Sequence, residues 1–243
     1  MANSSNFVDA MRKAGKQDLV GPNVVANALP YVGGGLILTA IGTYGGLGVI
    51  SSNPGLFMPT FWVALVAEIA LFFVVRGVAE KANNAIALPL LTVYSLLSGY
   101  TLTGLIFLAL HSAAGLNGIF MAALGCGVTF IAARSIGSNL SDTDGMALMR
   151  TVRIGMIALI VVLVAQLGLS LFGFGTPTFL EVAISAAGVF IFAGAAVVDF
   201  YVLPRAYRDE QYLSAALSMY LTYINLFIFL LRLIIILSGG SRD

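Results

Sequence analysis

Long apolar stretches separated by short polar links constrain this chain more than any other feature of its sequence. A helix needs about 20 apolar residues to cross the hydrocarbon core of a bilayer. Only 9% of the residues are charged, against about 25% in a typical soluble domain. We therefore predict an all-α polytopic membrane protein with seven transmembrane helices, at approximately residues 29–50, 57–78, 86–110, 117–137, 150–173, 179–202 and 213–237.

The links between these spans are short and contain residues that end helices. The clearest are SSNPG (51–55), EKANN (80–84), SNLSDTDG (138–145), GFGTPT (173–178) and PRAYRDEQ (204–211), and the weakest is HSAAGLNG (111–118). We predict a cytoplasmic N-terminal segment at 1–25 and a single transmembrane domain at 26–243.

The distribution of basic residues predicts the orientation. With seven spans, ten of the twelve fall on one side of the membrane: Arg12, Lys13, Lys16, Arg76, Lys81, Arg134, Arg150, Arg153, Arg205 and Arg208. Cytoplasmic loops are enriched in Lys and Arg. We expect a cell-membrane protein with its N-terminus in the cytoplasm and its C-terminus on the opposite side.

Composition argues against several function classes. The net charge of +1 gives no basic field for nucleic acid. One cysteine, Cys126, and one histidine, His111, offer no zinc spacing. We find no nucleophile with a base and no paired-aspartate protease motif, so we expect no catalytic residues, no enzymatic activity and no cofactor.

Small residues recur at helical spacing in two spans. Gly35, Thr39, Gly42 and Gly46 form such a stripe in the first span, and Gly118, Ala122, Gly125 and Thr129 form one in the fourth. Small side chains let transmembrane helices approach closely. We expect close helix packing at both stripes.

Three acids lie inside predicted spans; Glu181 only opens the sixth, and the other two stand out. Glu68 falls near the middle of the second span and Asp199 near the cytoplasmic end of the sixth. Charges within the bilayer are costly and usually face the protein interior, where a functional role is the first hypothesis. The alternatives are a protonated Glu68 that only packs, and an Asp199 that is a structural acceptor or a partner of Arg205.

Polar residues on other spans could complete a site. Tyr94, Ser98 and Thr101 share a face of the third span, and Tyr220, Thr222, Tyr223 and Asn225 cluster midway along the seventh. That density of polar groups is unusual for a helix that faces lipid. We therefore predict that the other six helices surround a central seventh.

Three stretches carry a family pattern: ALSMYLTYINLFIFLLRLI (216–234), PLLTVYSLLSGYTLTGLIFL (89–108) and GCGVTFIAARSIGSNLSDTDGMALMR (125–150). They resemble the closing motif, the third helix, and the fourth helix with its following loop in the transmembrane Bax-inhibitor motif family. The closing motif reads Leu-Tyr-Leu-Asp-Phe-Ile-Asn-Leu-Phe followed by Leu-Leu-Arg. Glu68 and Asp199 match acids on the second and sixth helices, and the chain resembles a bacterial-type member.

The resemblance implies seven helices around a central seventh and a role in membranes. Bacterial members of the family are similar to calcium leak channels in which aspartates on helices six and seven share a proton and close the pore. Others modulate a membrane-bound AAA protease. The resemblance therefore implies a calcium or cation leak pathway, or else a non-conducting module that binds a membrane protease or another membrane complex.

The chain departs from the family motif at Thr222, which stands where the motif has its seventh-helix aspartate. Threonine can form hydrogen bonds, but it cannot share an acidic proton. We therefore expect a modified pH-sensing site formed by Glu68, Asp199, Thr222 and Asn225. Its calcium binding would be weak, because calcium prefers several oxygen ligands with carboxylates among them.

Overall fold

The computed structural model describes residues 19–239, and its regular structure in that range is entirely helical. The helices are α1 (Val24–Ser52), α2 (Pro54–Ala79), α3 (Asn84–His111), α4 (Gly115–Gly137), α5 (Asp142–Leu171), α6 (Thr178–Ala206) and α7 (Tyr212–Gly239), with a 3-10 turn at Asp209–Gln211. All seven are long and apolar enough to span a membrane. The predicted fold class is confirmed, and each predicted span corresponds to one helix.

Helix α5 begins eight residues before the predicted span, within the stretch that we assigned to a polar link. Ser141 is its N-cap, and its hydroxyl accepts a hydrogen bond of 3.2 Å from the backbone N–H of Asp144. Asp142 and Asp144 lie in the first turn, where the helix dipole favours negative charge. The polar residues that indicated a link therefore start a helix.

The predicted stripe of small residues in α1 packs against α3. An added Cβ at Gly42 would lie 2.1 Å from the carbonyl oxygen of Leu96, and one at Gly99 would lie 2.0 Å from that of Thr39. The Thr43 hydroxyl donates to the Gly99 carbonyl over 2.8 Å. The two backbones thus approach too closely for any side chain larger than glycine at these crossing points.

Helix α7 occupies the interior of the bundle. It packs against α1, α2, α3, α4 and α6, and Met219, Tyr220 and Leu226 are completely or almost completely buried. Helix α5 lies mainly against α6 and joins α7 through a small cluster of Leu159, Ile184 and Phe229. Because lipid-facing helices expose their apolar side chains, burial on this scale marks α7 as the central helix.

The links after α2 and α6 meet the start of α1 at one end of the bundle, which we call the basic end. The backbone N–H of Asn23 donates to Asp209 over 2.9 Å, and its side-chain amide donates to the same carboxylate over 3.1 Å. Gln211 donates to the carbonyl of Glu80 over 2.8 Å. Residues 1–18 of the predicted N-terminal segment lie outside the described residues, and α1 starts at Val24, two residues before our predicted domain boundary.

Candidate functional site

Asp199 lies in the interface between α6 and α7, seven residues before α6 ends. Its side chain is buried, and each of its oxygens accepts one hydroxyl hydrogen bond from α7. Ser218 donates to Oδ1 over 2.8 Å and Thr222 donates to Oδ2 over 2.7 Å. These two residues are four apart and share a face of α7. The α6 side of this interface includes buried Ala195 and Ala196, whose small side chains allow the close approach.

Arg205 is directed away from Asp199. Its guanidinium donates to the carbonyl of Tyr201 over 2.7 Å, lies 4.2 Å above the Tyr201 ring, and has Nε 3.7 Å from the Asp142 carboxylate. The cation therefore ties the end of α6 to the start of α5. The alternative in which Arg205 pairs with Asp199 is wrong, because α6 places the two side chains on different neighbours.

Glu68 lies near the middle of α2 and is half-buried. Its Oε2 accepts a hydrogen bond of 2.7 Å from Thr101 on α3. Tyr94, Ser98 and Thr101 line the cavity beside it, as expected from their shared face of α3. The intramembrane glutamate is thus directed between helices rather than toward lipid.

Two cavities meet at Glu68. One, of about 590 Å³, lies between α2, α3 and α7. The other, of about 840 Å³, lies between α2 and α5 with α7 beneath it. Glu68, Asn225 and Arg232 line both. Because Thr222 lines the second cavity, its hydroxyl connects the cavity wall to the buried Asp199.

The four predicted site residues therefore form two neighbouring groups. Asp199 and Thr222 are hydrogen-bonded to each other, whereas Glu68 and Asn225 share a cavity one turn further along α7. The Asn225 amide donates to the carbonyl of Leu221 over 2.8 Å. Thr222 and Asn225 are three residues apart, which corresponds to a rise of roughly 4.5 Å.

Sequence reasoning missed two members of this site. Ser218 is the second partner of Asp199. Arg232, one of the two basic residues outside the group of ten on the predicted cytoplasmic side, lines both cavities. The signal was the helical spacing: Ser218 lies four residues before Thr222, and Arg232 lies seven residues after Asn225. Residues at these spacings share one face of a helix.

The donor set does not form a dense metal centre. Within residues 19–239, no group of three or more His, Cys, Asp or Glu residues is positioned to hold a metal ion. Calcium takes six to eight oxygen ligands, and both Asp199 oxygens already accept hydroxyl hydrogen bonds.

The fold and this site define a class: a multi-pass helical membrane protein whose interior helix holds an intramembrane carboxylate through hydroxyl groups. The particular family follows from comparison with known proteins. A family model described as "Inhibitor of apoptosis-promoting Bax1" matches residues 21–239. The chain therefore belongs to the Bax inhibitor family.

Similar proteins come from several bacteria. The chain is 34% identical over 181 residues to an uncharacterized membrane protein of Streptococcus pyogenes serotype M6, covering 71% of this chain and 73% of the relative. It is 29% identical over 230 residues to an uncharacterized protein of Deinococcus radiodurans, covering 90% of each. It is 31% identical over 242 residues to an uncharacterized protein of Helicobacter pylori strain 26695, covering 100% of this chain and 97% of the relative.

Proposed function

We propose that this protein is a passive cation pathway with calcium as its cargo, and that it has no enzymatic activity. The observation that carries the proposal is the buried Asp199, held by Ser218 and Thr222 where the interior helix meets α6. Intramembrane acids that face the bundle interior commonly mark ion routes. Glu68 on α2 and Asn225 on α7 supply further oxygen atoms in the adjoining cavity.

The path that we propose runs along α7. A cation enters the cavity lined by Arg232, Asn225 and Glu68 and leaves past Thr222 and Asp199 toward the basic end. Because Lys and Arg are in excess in the loops at the basic end, we expect that end to face the cytoplasm. The two acids are reached in sequence, and each replaces part of the ion's hydration shell.

Thr222 is expected to make the pathway less steeply pH-dependent than in relatives with two aspartates. A pair of adjacent carboxylates binds one shared proton, and its two titration steps are widely separated. A carboxylate bonded to a hydroxyl group has no second acid with which to share. Ionisation of Asp199 therefore changes the local charge, but no second carboxylate is present to repel it and separate α6 from α7.

Calcium flux into liposomes containing the purified protein tests this proposal. We would measure flux from about pH 6 to about pH 8, the range over which a shared proton is expected to be gained or lost. Asp199→Asn and Glu68→Gln should each lower the flux. Glu181→Gln is the matched control, because Glu181 lies in the first turn of α6 and lines neither cavity.

Two results would contradict the proposal. Flux no greater than that of protein-free liposomes would exclude a cation pathway. A steep pH switch in the wild type that Asp199→Asn abolishes would refute the expected shallow dependence.

A second candidate is a non-conducting module that binds a membrane protease or another membrane complex. Thr222 favours this alternative, since it removes part of the gating pair while preserving the α6–α7 contact. The docking element would be the N-terminal segment, which joins the bundle where Asn23 contacts Asp209. A pull-down from native membranes after deletion of residues 2–20 discriminates: loss of a stoichiometric partner with unaltered flux supports the module, and the reverse supports the channel.

A further inference from the structure

The larger cavity is a groove that opens sideways to the bilayer, and we call it the lateral groove. Its walls are α2 and α5, which share no packed interface within residues 19–239, and its floor is α7. The wall side chains Ile69, Phe73 and Ile160 are 54%, 66% and 59% exposed. At about 840 Å³, it falls within the size range of about 300–1,000 Å³ for small-molecule sites.

The floor of the lateral groove carries four polar residues among the apolar Leu221, Ile228 and Phe229. Ser218, Thr222, Asn225 and Arg232 all line it, and their spacing of four, three and seven residues puts them on one face of α7. The fourteen steps along α7 from Ser218 to Arg232 span roughly 21 Å. These residues therefore form a discontinuous polar strip over most of the hydrocarbon thickness of about 30 Å, and two of them, Ser218 and Thr222, donate their hydroxyl groups to Asp199.

Charges of both signs lie along this strip. Arg76 and Arg232 line the groove near opposite ends, and Glu68 lines it between them. Within the described residues, Arg76 is paired with Glu80 over 2.8 Å and Arg232 forms no ion pair. Hydrocarbon chains alone would leave Glu68 and Arg232 poorly solvated, which is costly inside a membrane.

A phospholipid fits these features. Its phosphate can pair with an arginine, its ammonium group can pair with a carboxylate, and its acyl chains can remain in the bilayer through the open side. A phospholipid also makes use of the open side, which its acyl chains need. We infer that the lateral groove carries phospholipid headgroups from one leaflet to the other along the polar face of α7.

This inference goes beyond the proposed cation pathway and does not depend on it. The test uses the full chain in phosphatidylcholine liposomes that contain a trace of phosphatidylethanolamine labelled with NBD on its headgroup. Dithionite, added outside, destroys the fluorescence of labels that reach the outer leaflet. Extraction of a short-chain NBD lipid by external albumin provides a second readout that is insensitive to dithionite leakage.

Ile160→Trp is designed to fill the groove from the α5 wall. Ile160 is already 59% exposed, so a tryptophan side chain at this position should not disturb the packing of the bundle. Val161→Trp is the matched control, because Val161 is 61% exposed on the same helix and does not line the groove. Equal elution volumes and thermal midpoints of the two variants would establish equal folding.

Wild-type protein should expose the inner-leaflet label in both assays, and Val161→Trp should match it. Ile160→Trp and Arg232→Gln should slow the transfer about tenfold or more. Transfer no faster than in protein-free liposomes would overturn the inference, as would equal transfer by the two tryptophan variants. A co-purifying helix that Ile160→Trp displaces, without lipid transfer by the wild type, would assign the groove to a protein partner instead. Calcium flux measured on the same liposomes tests the cation pathway independently, so failure of one proposal can be told apart from failure of the other.

Discussion

Asp199 is a buried carboxylate whose two hydrogen-bond partners are both uncharged. A carboxylate inside a membrane needs partners, and here both oxygens are satisfied by hydroxyl groups of α7, Ser218 and Thr222, at 2.8 and 2.7 Å. Neither hydroxyl carries a charge. The contact between α6 and α7 is therefore a hydrogen-bonded pair that does not need a shared proton.

Thr222→Asp should restore pH dependence to the proposed flux. The new carboxylate would lie beside Asp199, and the two would attract while sharing a proton and repel once both are ionised. Flux should then rise more steeply with increasing pH than in the wild type, because repulsion separates α6 from α7. Thr222→Val is the control, since it removes the hydrogen bond without adding an acid. Identical pH profiles for Thr222→Asp and the wild type would contradict this expectation.

At the scale of elements, the crossing of α1 and α3 depends on two glycines, Gly42 and Gly99. Each faces a backbone carbonyl of the other helix at a distance that leaves no room for a Cβ. Thr39 and Thr43 flank Gly42 on α1, and their hydroxyl groups donate to α3 carbonyls. Close approach and interhelical hydrogen bonds replace the hydrophobic drive that is absent in lipid.

Gly42→Ala should weaken this crossing, because the new Cβ would lie 2.1 Å from the Leu96 carbonyl oxygen. Overpacking of this kind costs about 1–3 kcal/mol, and the clash with backbone favours the upper end. Unfolding in mixed micelles by increasing SDS would measure the loss. Gly45→Ala, where nothing lies within 4 Å of the added Cβ, should leave the midpoint unchanged or slightly higher. Equal midpoints for the two variants would show that α1 and α3 can separate at little cost.

At the scale of the whole molecule, contacts between distant links close the basic end of the bundle. Asn23 and Asp209, which are 186 residues apart in sequence, form two hydrogen bonds. Asn84 donates to the backbone carbonyl of Glu210 over 2.9 Å. The start of α1 and the start of α3 are thereby held to the turn that leads into α7.

Asp209→Ala should loosen the start of α1. Loss of the carboxylate leaves the Asn23 donors without their partner, so hydrogen exchange of the Val24–Asn27 amides should accelerate. Glu210→Ala is the control, because Asn84 contacts the backbone of Glu210 rather than its side chain. Unchanged exchange in Asp209→Ala would mean that other contacts suffice to hold this end.

The proposed orientation makes a prediction at the same scale. Asn139 lies after α4 and Gly175 lies before α6, at opposite ends of the bundle, and both are exposed. A membrane-impermeant maleimide should label Gly175→Cys on intact cells and Asn139→Cys only after permeabilisation. Cys126 is buried, so the wild type should provide a low background. The opposite labelling pattern would invert the topology.

The seven spans and the two acids of the site could be predicted from local sequence, because both depend on composition and depth alone. A run of apolar residues must cross the bilayer wherever its neighbours lie, and Glu68 and Asp199 are conspicuous within such runs. The start of α5 could not be predicted in the same way. Asp142 and Asp144 are typical of both a polar link and a helix N-terminus. Only the cap at Ser141 shows that a helix begins here.

Tertiary structure alone decided which groups meet. Ser218, Thr222, Asn225 and Arg232 share one face of α7, but their spacing does not show which neighbouring helix that face meets. The rotation that brings Ser218 and Thr222 to Asp199 is set by packing with five neighbouring helices. The gap between α2 and α5 likewise depends on how the whole bundle closes. The sequence by itself therefore determined the membrane spans and the depth of the acids, whereas the packed bundle decided their partners and the opening of the groove.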